Sequence, residues 1–355
     1  MNYIMLISGI VILILITLDF MYTTLSTNGV GLISGPITTS IWRILLWSSR
    51  GKGKNKILNF SGVICILTIL TVWILFLWLG NTLIFASDPT SILHTQTHVP
   101  ATIAEKFYYV GYTLSTLGMG DFYASTSFWK IFTIIISLSG LSGLTIAITY
   151  LTQVITSELN KRQLSIYIAS LGGTPQHILY NGWNGKDFRK LEADFTALTS
   201  LIISHSQHHL SYPVLHYFHS TNLREATALT IPALDEALTI LLLFAPPELR
   251  PDNLHMETLR NALTHYLLTL ENDFIVPATN PLPLPDLSLL ASAGVPLLPW
   301  NDQIDQAYEK LAKRRKLLQA LLINDGWTFE ELFQSKFGND LDLGDEQSHK
   351  SSKIL

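Results

Sequence analysis

The sequence predicts an all-α membrane protein: an extra N-terminal transmembrane helix, a two-helix module with a re-entrant segment between its spans, and a mostly helical domain after it. Three observations carry this. Three strongly apolar stretches contain no charged residue, and the charges divide unevenly along the chain. Between two of the uncharged stretches, a short aromatic segment ends in a glycine-rich string.

The uncharged stretches are residues 1–18, 57–87 and 131–157. A helix needs about 20 apolar residues to cross a hydrocarbon core, so the second and third suffice comfortably and the first just suffices. In lipid the backbone must satisfy its own hydrogen bonds, so each is expected to be a helix. The first carries no Lys or Arg, which a secretory signal would place at its start; it reads as a retained span.

Charge sets the next level of organisation. Only 14% of the 355 residues are charged and 48% are hydrophobic. Residues 1–157 carry a net +3 and the rest −7, an apolar, mildly basic half joined to an acidic one. The sequence therefore divides into 1–56 (first span and basic loop), 57–157 (two-helix module), 158–338 (helical domain) and a disordered tail, 339–355. The loop between the first two spans holds Arg43, Arg50, Lys52, Lys54 and Lys56 with no acid, so it is expected in the cytoplasm. The N-terminus is then outside and the C-terminal domain cytoplasmic. Gly29, Gly31, Gly35 and Pro36 break up the chain after the first span, and Trp42 and Trp47 could anchor a segment along the interface.

Residues 102–115 are aromatic and too short to cross a membrane, and they run into Ser115-Thr116-Leu117-Gly118-Met119-Gly120-Asp121. Non-helical backbone at membrane depth is tolerated only where it is buried in protein or lines a water-filled path. Glycines two apart supply backbone conformations that other residues avoid, and rings of carbonyls can replace the water shell of an ion. The Thr116 hydroxyl could add a ring of oxygens at the inner end, and Asp121 could anchor the outer end.

This string resembles the potassium-channel signature Thr-Val-Gly-Tyr-Gly-Asp, and residues 57–157 resemble the two-helix pore module of bacterial-type potassium channels. The resemblance implies a homotetramer in a bacterial inner or plasma membrane, conducting potassium passively through backbone carbonyls of Thr116, Leu117, Gly118, Met119 and Gly120. Ser115, Asp121, Tyr108 and Tyr109 would support this filter, and Gly140 is similar in position to the gating hinge. Gly143 is a second hinge candidate; close helix packing is the alternative for both. The departure is Met119, where the family has an aromatic that braces the filter. No cofactor is expected beyond K+ as the permeant ion. A weakly selective cation channel remains an alternative, as does a membrane-anchored sensor or scaffold with a non-conducting pore loop.

The C-terminal half gives no comparable motif. Helices are expected near 186–206, 232–244, 255–270 and 303–322, with a capping box at Thr328–Glu331. The 232–244 run reads as a buried core helix. His205 and His209, four apart, and His216 and His219, three apart, could share helix faces. Hydrogen-bonded imidazoles, proton sensing and a metal site are the three readings. The run Lys313-Arg314-Arg315-Lys316 reads as a solvated helix face. Single Cys65 excludes an intrachain disulfide. No basic tract suggests nucleic acid, no hydrolase or Walker motif occurs, and the adjacent Asp235-Glu236 face differently, so no enzyme is expected.

Overall fold

The computed structural model describes residues 1–26 and 31–333. The predicted tail, 339–355, and Gly29 lie outside the described residues. The chain forms two compact units. The first contains Met1–Ile44, Ser61–Thr156 and Ser211–Tyr217; the second contains Leu45–Phe60, Ser157–Leu210 and the chain from Phe218 onward.

In the first unit, α1 (Tyr3–Leu25) starts on Asn2, whose side chain accepts from the amides of Ile4 and Met5. It packs on α3 (Ser61–Ala86) at a close crossing: a Cβ on Gly9 would lie 2.7 Å from the Gly80 carbonyl oxygen. Small residues allow this approach where lipid supplies no hydrophobic drive between helices. Asp19 of α1 is buried, and a buried carboxylate is costly unless hydrogen-bonded. Its oxygens accept from the amides of Ile33 (2.7 Å) and Ser34 (3.2 Å), the Ser34 hydroxyl (2.5 Å) and Trp73 Nε1 (2.8 Å). It thereby ties α1 to α3 and to the start of α2 (Ser34–Ser48). Trp42 of α2 is buried against Tyr217 rather than anchoring an interface, while Trp47 is 82% exposed.

A two-stranded antiparallel ribbon pairs β1 (Ile92–His94) with β2 (Phe122–Ala124), with Ile92 opposite Ala124 and His94 opposite Phe122. Between the strands lie the short helix α4 (Ile103–Leu114) and the glycine-rich string. Lys106 of α4 is buried, and its ammonium donates to the carbonyls of Phe85 (3.1 Å), Asp88 (2.6 Å) and Pro89 (3.2 Å). A lysine has three donors, and a helix C-terminus favours a cation, so this one side chain closes the end of α3. The long helix α5 (Ser127–Leu171) then runs unbroken to the Gly172-Gly173 stop expected from the sequence.

The second unit is helical. The unit takes in α6 (Pro175–Gly182), α7 (Glu192–Ser211), α8 (Thr227–Phe244), α9 (Asn253–Asp273) and the short α10 (Ser288–Ser292). It ends in α11 (Asp302–Lys310), α12 (Ala312–Asn324) and α13 (Phe329–Phe333). α8 is apolar enough to cross a membrane by composition, but 89% of it is buried by neighbouring protein. It is the expected core helix, but it begins at Thr227, so Pro232 lies inside the helix rather than at its start. The single helix expected over 303–322 is two helices, divided at Leu311. Leu45–Phe60 belongs to this unit, not to the first as a division at residue 56 would place it. The reason is a set of distant bonds: the Gly53 amide donates to the Gly326 carbonyl (2.8 Å), and Asn59 pairs with Thr221.

Candidate functional site

The site begins with α4. Its N-terminus is a capping box: Glu105 accepts from the Thr102 amide (2.7 Å), and the Glu105 amide donates to the Thr102 hydroxyl. Its axis is held by α3, where Trp78 stacks on Phe107 at 4.2 Å and its Nε1 donates to the Phe107 carbonyl (2.7 Å). Gly111 makes room for that indole, since a Cβ there would lie 2.5 Å from the Trp78 ring. On the other side, Tyr109 meets Thr133 of α5 at 2.9 Å. A Cβ on Gly140 of α5 would fall 2.1 Å from the Leu114 carbonyl oxygen, so α5 passes directly over the end of α4. Gly140 thus has a packing reason, whereas a Cβ on Gly143 would meet nothing within 4 Å.

α4 ends at Leu114, and its C-terminus, the negative end of the helix dipole, lies where the glycine-rich string starts. The Ser115 hydroxyl bonds back to the Tyr112 carbonyl (3.2 Å), and the Leu117 amide donates to the same oxygen (2.8 Å). The backbone then alternates. Thr116 (φ 59°), Gly118 (φ 58°) and Gly120 (φ 82°) are in the left-handed region, and Leu117 and Met119 are not. In an extended chain successive carbonyls point to opposite sides; reversing the hand at every second residue turns them toward one side. The glycines adopt this freely. Thr116 does not, and positive φ in a non-glycine residue is a strain associated with functional sites. Its left-handed conformation was not foreseen from the sequence, which pointed to its hydroxyl and, by resemblance, to its carbonyl.

Among the described residues, the carbonyls of Thr116, Leu117, Gly118 and Met119 accept no hydrogen bond from the chain. The Gly120 carbonyl differs, because it accepts from the Thr95 hydroxyl at 2.7 Å. Asp121 accepts from the Tyr108 hydroxyl (3.3 Å). Of the two expected supporting tyrosines, Tyr108 therefore reaches the Asp121 end of the string, packed edge-on against Tyr112 and Phe122. Tyr109 faces Phe85 and α5. The Leu117 and Met119 side chains are 67% and 52% exposed. Tyr112, whose hydroxyl donates to the Phe122 carbonyl (3.2 Å), was missed, although its place in the aromatic segment was the available signal. Thr95 had no local signal.

Residues 64–157, the stretch carrying this geometry, match the family described as "Ion channel". The chain belongs to the ion-channel family. It is also 34% identical over 327 residues, covering 91% of this chain and 94% of the relative, to the uncharacterized membrane protein YdjJ of Bacillus subtilis (strain 168). No solved structure matches it.

The channel's other candidate residues do not form a site together. Among the described residues, no group of three or more His, Cys, Asp or Glu side chains is arranged to hold a metal. His205 and His209 are buried with ring centroids 5.7 Å apart, packed on Tyr266. Burial drives the His205 pKa down to about 3, so it stays neutral at ordinary pH. His216 lies in the first unit. His219, in the second, is engaged through both ring nitrogens, with Asp325 (3.0 Å) and the Gly53 carbonyl (2.6 Å). Burial alone would lower its pKa, but Asp325 and Gly53 outweigh burial, and the net shift is upward.

The basic run corrects a sequence expectation. It is not a solvated face: Arg315 is buried and pairs through Nε (2.9 Å) and Nη2 (3.1 Å) with Glu236. Arg314 grips Asp235 through Nε (2.9 and 3.0 Å) and Nη2, and Arg260 joins at 3.1 Å. Lys313, 68% exposed, meets Glu271 at the surface. The adjacent carboxylates do face differently, each toward its own arginine.

Proposed function

We propose that this channel is a homotetramer that conducts potassium passively, its ions held by carbonyls of Thr116, Leu117, Gly118 and Met119. The observation that carries this is the alternation of left-handed residues at 116, 118 and 120, directly after the negative end of α4. Carbonyl oxygens aimed one way and lacking protein donors suit a dehydrated cation. One such segment per chain surrounds an ion only when several copies meet on an axis, and four is the number that closes a ring at potassium's size. The apolar window of α5 is only 6% buried within one chain, which leaves its surface for lipid and for neighbouring copies. By the distribution of basic residues, the N-terminus is outside and the second unit is in the cytoplasm; the resemblance to bacterial-type potassium channels points to the bacterial inner or plasma membrane.

Met119 supports a second reading, a cation channel of weak selectivity. An exposed, flexible side chain in place of an aromatic gives the carbonyls less stiffness. With Gly140 explained by packing, Gly143 is the remaining hinge candidate in α5.

The test is flux into liposomes carrying purified protein, with potassium or sodium inside. Wild type should pass potassium. Gly118→Ala should reduce flux to background with assembly intact, because among the described residues of one chain nothing lies within 4 Å of the new methyl and it is φ that opposes it. A wild type that passes no ion would favour a sensor or scaffold. Equal potassium and sodium permeability would favour the second reading.

A further inference from the structure

We propose that Thr95 is a positioning residue for the ion path, fixing the outer end of the filter where Met119 cannot. This rests on the filter reading above. The ladder between β1 and β2 ends with His94 opposite Phe122. Thr95 carries it one step further, its amide donating to the Asp121 carbonyl at 2.9 Å. Its hydroxyl then donates to the Gly120 carbonyl at 2.7 Å, so one residue holds two consecutive carbonyls at the filter's outer end.

The turn that presents Thr95 is itself fixed. The His94 amide donates to the Val99 carbonyl (3.0 Å), and the His98 amide donates back to the His94 carbonyl (2.9 Å). His94 Nδ1 accepts from the amides of Gln96 (3.2 Å) and Thr97 (3.4 Å). His98 adopts φ 56°, which closes the loop, and its ring meets the Tyr123 hydroxyl on β2 at 3.0 Å. Thr95 therefore projects from a small braced loop tied to the strand that leaves the filter.

Two consequences follow for ions. The Gly120 carbonyl already takes one protein donor, so the rungs from Thr116 to Met119 are the ones left entirely to ions. The outer end also gains a tether to the ribbon, which an aromatic at 119 would otherwise supply through the pore helix. The tether depends on the hydroxyl: valine has nearly the same shape and no donor.

Single-channel recording of the full-length protein in mixed potassium and sodium tests this. Thr95→Val and Thr95→Ala should each make brief filter closures about three- to tenfold more frequent, the size expected for one lost hydrogen bond. The effect should grow as external potassium is lowered, because ions no longer prop the rungs apart. Thr95→Ser, which keeps the donor, should behave as wild type. Thr95 is exposed, and potassium-dependent thermal stabilisation of the purified protein gives a second readout that needs no current; it should shrink in the Val and Ala variants. Unchanged closures and unchanged stabilisation in Val and Ala overturn the proposal, as does a Ser variant altered as much as Val. Gly118→Ala recorded alongside separates the two levels. If it still conducts, the filter reading fails; if it is silent while Thr95→Val matches wild type, only the role of Thr95 fails.

Discussion

The glycine-rich string after α4 and the centre of the second unit use polar groups in opposite ways. Around α8, charges are gathered from distant helices and closed on one another: Asp235 takes Arg314 and Arg260, Glu236 takes Arg315, and Arg315 lies over the Tyr308 ring at 4.8 Å. From Thr116 to Met119, consecutive carbonyls have no donor among the described residues. Buried polar groups are nearly always satisfied in folded proteins. The charge cluster is buried and closes on itself, whereas residues 116–119 are exposed within one chain, which leaves their carbonyls open to solvent, to an ion or to another copy.

Breaking the closed network should have the largest effect on stability. Arg315→Ala would strand Glu236 in the core, and removing one partner of a buried pair costs about 3–5 kcal/mol. The full-length protein should unfold at markedly lower denaturant. Replacing both partners, Glu236→Leu with Arg315→Met, should recover most of the loss, since well-packed apolar side chains can replace such a pair. If the double variant is as unstable as the single one, the pair is doing more than neutralising charge. Ion preference should be unchanged in either variant.

A smaller effect is expected at His219, where the closed network can be opened by pH. Both ring nitrogens face acceptors, an arrangement that needs the doubly protonated imidazole. Its native pKa is raised, with Asp325 attracting the charge and Lys161 opposing it. Its contribution to stability is therefore fully present below the ordinary histidine value of 6.5 and is lost as pH rises through the raised native value. Thermal unfolding of the full-length protein followed across pH should show this decline on the alkaline side. His219→Gln should flatten it. A wild-type profile with no alkaline decline would mean that the imidazole is neutral in the folded protein.

The smallest expected change is at the open row itself. Met119→Tyr should steady conduction and raise the preference for potassium over sodium, without altering unfolding of the second unit. Single-channel records in mixed ions measure both. Flicker and permeability ratio equal to wild type would indicate that Thr95 and Tyr108 already supply the stiffness an aromatic would add.

The spans, the re-entrant segment and the glycine spacing were legible in the sequence because each rests on local chemistry. Uncharged length decides what can cross a bilayer, and glycines two apart decide where the backbone can reverse its hand. The buried character of the α8 core helix was legible for the same reason. The partners were not. Lys313 to Lys316 look alike as a charge run, and only the packing of α12 against α8 and α9 divides them into buried and exposed members. Thr95 and Gly120 are far apart in sequence, and the β1–β2 register alone brings the hydroxyl to the carbonyl. Gly140 was legible only as a special position in a helix, and the packing alone brings the Leu114 carbonyl beneath it. Composition and spacing determine which groups the chain must satisfy or leave open. Which distant residue satisfies them depends on how the helices pack, because hydrogen bonds and ion pairs act only at short range, and tertiary structure sets those distances.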